Sequence, residues 1–323
     1  MSKQTLIVIF GGPSAERGVS LNSARSLLDH IPRGDWEWIP LYVDQNKHFY
    51  KISLAQLYSN TPSDFDFKLQ EMASYLQEDE LEDILKSTTL VFPVIHGAFG
   101  EDGELQSFLE QRQVPFVGSS STACRQLYAK HIAHAKMQEL GMAVWPQLVV
   151  ERTTPLKIIK EFFLKEGFYK GVLKPALGGS SLGVDVVESA DVACAYVEKR
   201  FSIGESGPFI IEPFCLGREF TVVVMEEKEG VFVLPPTEIV LKERGGILDF
   251  RAKYLPTARV CYKTPATFSS EIHREIRQKA EQIFSAFHAR DFLRLDGWVM
   301  PEGNVFFTDC NPLSGLEQNS FFF

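Results

Sequence analysis

The sequence predicts a mixed α/β and α+β fold, with a doubly wound parallel sheet first and strand-rich α+β segments after it. Three stretches carry this expectation. Thr5-Leu-Ile-Val-Ile-Phe10 is a short apolar strand that ends in Gly11-Gly12-Pro13-Ser14 and leads into helically spaced Leu21, Ala24, Leu27 and Leu28, the opening unit of a doubly wound sheet. Gly171 to Val187 reads as strand, glycine–serine loop, strand. Phe292–Met300 and Asn304–Asn311 read as two strands joined by Pro301-Glu302-Gly303, with polar residues at alternate positions.

The bulk properties narrow the function classes. A chain of 323 residues suits two or three domains of about 100–150 residues each. A net charge of -9 offers no general attraction to nucleic acid or anionic lipid, so any bound polyphosphate must be met by local cations. The five cysteines are scattered without a C-x-x-C pair, which argues against a disulfide framework or zinc site and for a reducing cytoplasm. No apolar stretch approaches membrane-spanning length, and the N-terminus lacks a secretory pattern. The expected partner is a small molecule.

In the first turn, Glu16 stands among Ser14, Arg17 and Ser20; it is either a solvated loop acid or an acid placed for a substrate ammonium. Trp36–Val43 reads as the second strand. Residues 44–87 are polar and read as an insertion packed on the outside, without chemistry. Leu90–Ile95 is the next strand and delivers His96-Gly97-Ala-Phe-Gly100-Glu101-Asp102-Gly103 into the loop position where open α/β sheets place ligands. His96 there is either a hydrogen-bonding residue at the core edge or part of the site. Val114–Gly118 reads as a short closing strand.

One helix is expected from about Thr122 to Leu140, carrying Lys130 and Lys136, and ended by Gly141. Its His131 and His134 share a face but lack a third metal ligand. A strand at Leu148–Val150 and a helix from Pro155 to Gly167 follow. In the glycine loop, Lys174 ends the first strand, and Gly178-Gly179-Ser180-Ser181 allows close backbone approach to an anion. No Walker A pattern is present, so the loop reads as a lid over phosphates or as a plain hairpin turn. Phe209–Pro213 places Glu212 at a strand end, and the strand-rich stretch from Arg218 to Leu241 follows. Lys242 to Leu255 is a long polar loop, of a length usually tied to function. Glu271–Arg290 is amphipathic through Ile272, Ile276, Ala280, Ile283 and Phe287. On the last two strands Arg294 with Asp296, and Asp309 with Asn311, point from one face: either a polar surface or hard oxygen ligands for Mg²⁺ against phosphates.

Six motifs in this order, Gly11-Gly-Pro-Ser-Ala-Glu16, His96–Gly103, Lys174-Pro with Gly179-Ser-Ser-Leu-Gly183, Ala252-Lys-Tyr254, Arg294-Leu-Asp296 and Asp309-Cys-Asn311, resemble the D-alanine:D-alanine ligases of the ATP-grasp superfamily. The similarity spans nearly the whole chain. It implies an ATP-grasp fold preceded by an N-terminal doubly wound, Rossmann-like parallel-sheet domain, divided as residues 1–121, 122–212 and 213–323. It further implies that Lys130, Lys174 and Lys253 contact ATP phosphates, Glu212 the adenine amino group, Phe214 and Leu216 the surroundings of the base, and Glu219 the ribose. Asp296, Asp309 and Asn311 would hold two Mg²⁺ ions, with Mn²⁺ an acceptable replacement. Glu16 would bind the first substrate's ammonium, with Ser180 and Tyr254 ordering both loops; His96 and Glu101, and at the far end Ser320 and Phe321, would lie around the substrates.

The implied reaction joins two D-alanines through an acyl phosphate, with Arg294 and the Gly315 N–H stabilising the tetrahedral oxyanion. The product, D-alanyl-D-alanine, would serve peptidoglycan synthesis and so cell-wall biogenesis and cell shape. Tyr254, where depsipeptide-forming relatives carry histidine, favours D-alanine over D-lactate as second substrate. The implied partners are D-alanine and ATP, with no nucleic acid or membrane; a homodimer is compatible with the family. The chain departs from the family pattern at Gly18, Ala129, Asp309 and Ser314, where Glu, Asp, Glu and Pro are usual. It ends at Phe321-Phe-Phe323 without the further helix of its relatives, which predicts an uncovered apolar patch. Two other readings stay open: an ATP-grasp carboxylate–amine ligase with another substrate pair, and a nucleotide-binding paralogue that no longer ligates.

Overall fold

The computed structural model describes residues 4–32, 34, 36–72, 74–179, 183–241, 260–317 and 320–321. The first segment runs β1 (Gln4–Gly11), α1 (Arg17–His30), β2 (Trp36–Val43), β3 (Phe49–Lys51), α2 (Leu54–Ser59), α3 (Pro62–Met72), α4 (Glu78–Lys86), β4 (Leu90–Pro93) and α5 (Glu104–Gln111). Next come α6 (Ser121–Tyr128), α7 (Lys130–Glu139), β5 (Leu148–Val150), α8 (Leu156–Glu166), β6 (Gly171–Pro175), β7 (Asp185–Val187), α9 (Ala190–Ser202) and β8 (Phe209–Pro213). The last segment holds β9 (Arg218–Glu227), β10 (Gly230–Val233), β11 (Thr237–Leu241), β12 (Val260–Lys263), α10 (Ser270–Ala286), β13 (Phe292–Val299) and β14 (Val305–Asn311).

Three sheets result. The first has the order β3-β2-β1-β4, with β1 parallel to β2 and β4. Its β1 strand alternates Val8 and Phe10 toward α1 with Ile7 and Ile9 toward α4 and α5, so both faces are covered and the strand is apolar throughout. The second is antiparallel, β5-β8-β6-β7, and packs on α8 and α9. The third is the largest, β12-β11-β9-β13-β14 with β10 beside β9, and buries Phe220, Val222, Leu293 and Leu295 against α10. Helices α6 and α7 add Ala123, Leu127, Ala133 and Met137 to that same core.

Three local expectations are corrected. The single helix over 122–140 is broken at Ala129, whose ψ of 96° is extended. The Lys130 N–H, instead of closing a helical turn, donates to Ala176 O at 3.0 Å, and no sequence signal marks that long-range bond. The segment 44–87 is not an external insertion: Leu57, Phe65 and Leu69 join the core around Phe10, and Phe65 stacks on Tyr42 at 4.6 Å. At 114–118 the chain makes only an isolated parallel bridge between Val91 and Phe116. Pro115 has no N–H to extend it, and Gly118 turns away at φ 106° with its N–H on Asp291 Oδ2 at 2.6 Å.

The edge of the large sheet is fastened by Glu238, buried in β11. Arg218 on β9 reaches it with two bonds of 2.8 and 2.7 Å, and Thr267 adds its hydroxyl and N–H. These donors, led by Arg218, hold the Glu238 carboxyl down at about 2, against an ordinary 4.5. A depressed acid stabilises the fold above its unfolded pKa and loses that contribution as pH falls toward the folded value. Because Arg218 is half in solvent, Glu238→Gln is expected to cost about 1–2 kcal/mol at pH 7. In urea titrations the gap to the unsubstituted protein should close between pH 4.5 and 2; a gap independent of pH contradicts this.

Candidate active site

The three sheets meet around a cleft of about 570 Å³. At one end, the turn after β1 is locked to the loop after β4. The Ser14 hydroxyl donates to His96 O at 2.6 Å and accepts from the Glu16 N–H at 3.0 Å. Ser20 links the same two segments, from Gly11 N to Val94 O. Glu16, 7% exposed, is thereby aimed into the cleft and is not a solvated loop acid. Its carboxylate lies where a methyl group on Gly97 would approach to 2.8 Å, and it faces Gly179 of the glycine loop. His96 is buried, with Nε2 3.1 Å from the Ser23 hydroxyl and Nδ1 3.9 Å from Glu101 Oε1. Glu101 accepts the Gly97 N–H at 3.0 Å.

At the glycine-loop end two lysines stand apart in role. The Lys130 ammonium donates to Gly178 O at 2.5 Å and pairs with Asp309 Oδ1 at 3.0 Å. Lys174 is buried and pairs with Glu212 Oε2 at 2.7 Å, while Gln147 donates to the other oxygen at 3.0 Å. Burial alone would lower the Lys174 pKa, but Glu212 and then Asp309 outweigh it and hold it above its ordinary value, so the amine is charged. Lys170 lies 4.7 Å over the Phe214 ring, Leu216 is exposed, and Glu219 projects into the cleft from β9.

Strands β13 and β14 form the cleft floor. Asp296 lies opposite Asp309 and Arg294 opposite Asn311, as the alternation predicted, and a bulge at Asp296/Gly297 ends the polar face. The Arg294 fork donates to both Asp296 oxygens at 3.1 Å. Thr221 adds a bond of 2.7 Å and the Asn311 amide one of 3.1 Å. Among the described residues no three His, Cys, Asp or Glu side chains converge; the third donor here is the amide of Asn311. Two facing carboxylates and an amide oxygen are the hard donors that suit Mg²⁺, and the pairing of the carboxylates with Arg294 and Lys130 shows the charge that a cation would share. The residues therefore fit the metal.

The far wall is the segment after β14. Ser314 is buried, Gly315 borders the cleft, and the Leu316 N–H donates to the Ser23 hydroxyl at 3.1 Å, tying this segment to α1. Ser320 and Phe321 line the same wall. Of the expected uncovered aromatic end only Phe321 is described: it is half-buried, and its ring meets the exposed Tyr262 edge-on at 5.4 Å, while Phe322 and Phe323 lie outside the described residues. Ser180, Lys253 and Tyr254 lie outside the described residues. Four residues that the motifs did not single out belong to the site: Ser23, Gln147, Thr221 and Glu317. Only Ser23 left a trace in the sequence, as a small polar residue on the apolar stripe of α1.

Comparison with known proteins bears on this geometry. A family model described as D-ala D-ala ligase N-terminus matches residues 5–119, and one described as D-ala D-ala ligase C-terminus matches residues 137–323. The chain is 28% identical to a D-alanine–D-alanine ligase of Lactococcus lactis subsp. cremoris, covering 100% of this chain and 90% of that protein. It is also 28% identical to the D-alanine–D-alanine ligase of Chlorobaculum tepidum, covering 100% and 91%. Among solved structures, the D-alanine-D-alanine ligase from Coxiella burnetii superposes with a TM-score of 0.83 at 21% identity, over 99% of this chain and 88% of that one. The VanG D-Ala:D-Ser ligase from Enterococcus faecalis gives 0.80 at 25%, over 99% and 93%.

The crowding at Gly97 gives a test of the Glu16 end. Gly97→Ala adds a methyl group at φ 76°, 2.8 Å from Glu16 Oε2 and 3.0 Å from Ser14 Cβ. It should cost about 1–3 kcal/mol in strain, read as a lowered thermal midpoint, and displace Glu16; an unchanged midpoint contradicts the packing.

Proposed function

The chain belongs to the D-alanine–D-alanine ligase family, and from that premise we propose that it joins two D-alanines at the expense of ATP, releasing ADP and phosphate. The observation that supports this reading most directly is the facing Asp296–Asp309 pair with Asn311 beside it, Lys130 pairing with Asp309 at 3.0 Å and Lys174 feeling the same charge. The three-sheet architecture is an ATP-grasp fold preceded by a parallel-sheet domain. Its product would be used for peptidoglycan synthesis, and its place of action would be the cytoplasm; among the described residues no helix is long and apolar enough to cross a membrane.

A carboxylate is a poor acylating agent, so the first D-alanine must be activated. Glu16, which lines the cleft with His96 and Glu101, would hold its ammonium and leave its carboxylate toward the phosphate end. Lys130 and Lys174 would neutralise the phosphoryl oxygens, joined by Lys253, which lies outside the described residues. Mg²⁺ held by Asp296, Asp309 and Asn311 would supply further charge stabilisation in phosphoryl transfer. Glu212, which holds Lys174, would then also meet the adenine amino group, with Phe214 and Leu216 beside the base and Glu219 at the ribose. Arg294 and the Gly315 N–H would stabilise the oxyanion formed when the second amine attacks. Ser180 and Tyr254 would close over both substrates and exclude water from the acyl phosphate.

ADP release with D-alanine, L-alanine, D-serine and D-lactate is the direct assay. Dependence on D-alanine is the expected result; release only with another acid would move the assignment to a different carboxylate–amine ligase. Lys253→Ala and Asp296→Ala are each expected to abolish ADP release with circular dichroism unchanged. Turnover at the unsubstituted rate in either variant would remove that residue from the phosphoryl-transfer set.

A further inference from the structure

Glu317 is a carboxylate in the cleft to which neither the motifs nor the activation step assigns a role. It lies directly over Gly315: a methyl group on that glycine would sit 2.4 Å from Glu317 Oε2 and 3.1 Å from Oε1. The Gly315 N–H is the proposed oxyanion donor, so Glu317 borders the place where the new bond forms. Its hydrogen bond from the Ser23 hydroxyl is 3.4 Å long, beyond the ordinary range for O–H···O. That leaves it capacity for a stronger donor arriving from the cleft.

The other charged groups along this wall are engaged elsewhere. Asp296 is held by Arg294, Thr221 and Asn311, and Glu101 by the Gly97 N–H. Asp29 accepts from Tyr58 at 2.6 Å, and Arg25 is spent on the carbonyls of Leu57 and Asn60. His96 lines the cleft, but its Nε2 is turned to the Ser23 hydroxyl at 3.1 Å and its Nδ1 to Glu101 at 3.9 Å. Glu16 lies against Gly97 and Gly179, where the proposed function gives it the first ammonium, and Glu219 projects into the cleft from β9.

The reaction needs a group in this position. The second amino acid enters as an ammonium, which has no lone pair with which to attack. We propose that Glu317 receives this ammonium and takes one of its protons as the nitrogen attacks the acyl phosphate, a role that rests on the ligase reading above. The N–H bond breaks toward Glu317 and the freed pair forms the C–N bond to the carbonyl carbon. The resulting oxyanion re-forms the carbonyl as the C–O bond to phosphate breaks. Phosphate leaves with that pair and takes the second nitrogen proton, and Glu317 returns its own proton to solvent. No oxidant or further reactant is required.

The test compares two acceptors in the full chain with ATP, Mg²⁺ and D-alanine filling the first subsite. One acceptor is D-alanine; the other is hydroxylamine, whose nitrogen is already uncharged near neutral pH and which gives D-alanine hydroxamate. Glu317→Gln should lower dipeptide formation about 100-fold near pH 7.5 while hydroxamate formation stays within about twofold. The dipeptide defect should shrink as pH rises and free amine accumulates, and Glu317→Asp should recover part of the loss. Equal losses with both acceptors, or an undiminished dipeptide rate, would overturn the proposal. Absence of both products in the unsubstituted protein would instead overturn the ligase reading and this role with it.

Discussion

Charge compensation around Lys130 is the constraint on which the cleft depends. Its ammonium joins the glycine loop, through Gly178 O, to the floor strand β14, through Asp309. Its own N–H is spent on Ala176 O. One residue therefore holds the second sheet's loop against the third sheet's acidic face. Two carboxylates facing each other across adjacent strands repel when both are ionised, and Lys130 and Arg294 offset this from opposite sides. The arrangement is a set of matched charges, and removing either cation would leave a half-buried carboxylate without its partner.

The same economy governs Lys174. An isolated buried ammonium would lose its proton, yet Glu212 at 2.7 Å keeps it charged, and Gln147 fixes the second oxygen of that carboxylate. A lysine held charged by a fixed partner is preorganised, and preorganised charge is the form of electrostatic stabilisation that costs least at the moment of reaction.

How much of this was legible in the sequence follows from the range of the interactions. Strand β1, its glycine turn and α1 were readable because they are set by local pattern: an apolar run, positive-φ glycines and a helical repeat. The alternation on β13 and β14 was readable because side chains on a strand share a face every second residue, and Asp296, Asp309 and Asn311 accordingly lie together. The break at Ala129 was not, since alanine favours helix and the cause lies at Ala176. Residues 44–87 read as an outside insertion because most of them are polar; the burial of Phe65 and Leu69 among them is decided by Phe10 and Tyr42 on distant strands. Glu317 was invisible for a related reason. An acid in an irregular segment carries no periodicity, and only the fold brings this segment against Ser23 and the cleft.

The seam between α1 and the segment after β14 adds a last step. Ser23, fully buried, accepts the Leu316 N–H and contacts His96 and Glu317. A hydroxyl can satisfy these neighbours together only by accepting from some while donating to another. The first sheet's helix thus fixes the backbone beside Gly315 with the same residue that orients His96. If Glu16 and Glu317 take the roles proposed for them, the place of the first ammonium and the place of the second amine would both be set through this one helix. The spacing of the two amino acids would then rest on the contact of α1 with the chain beyond β14.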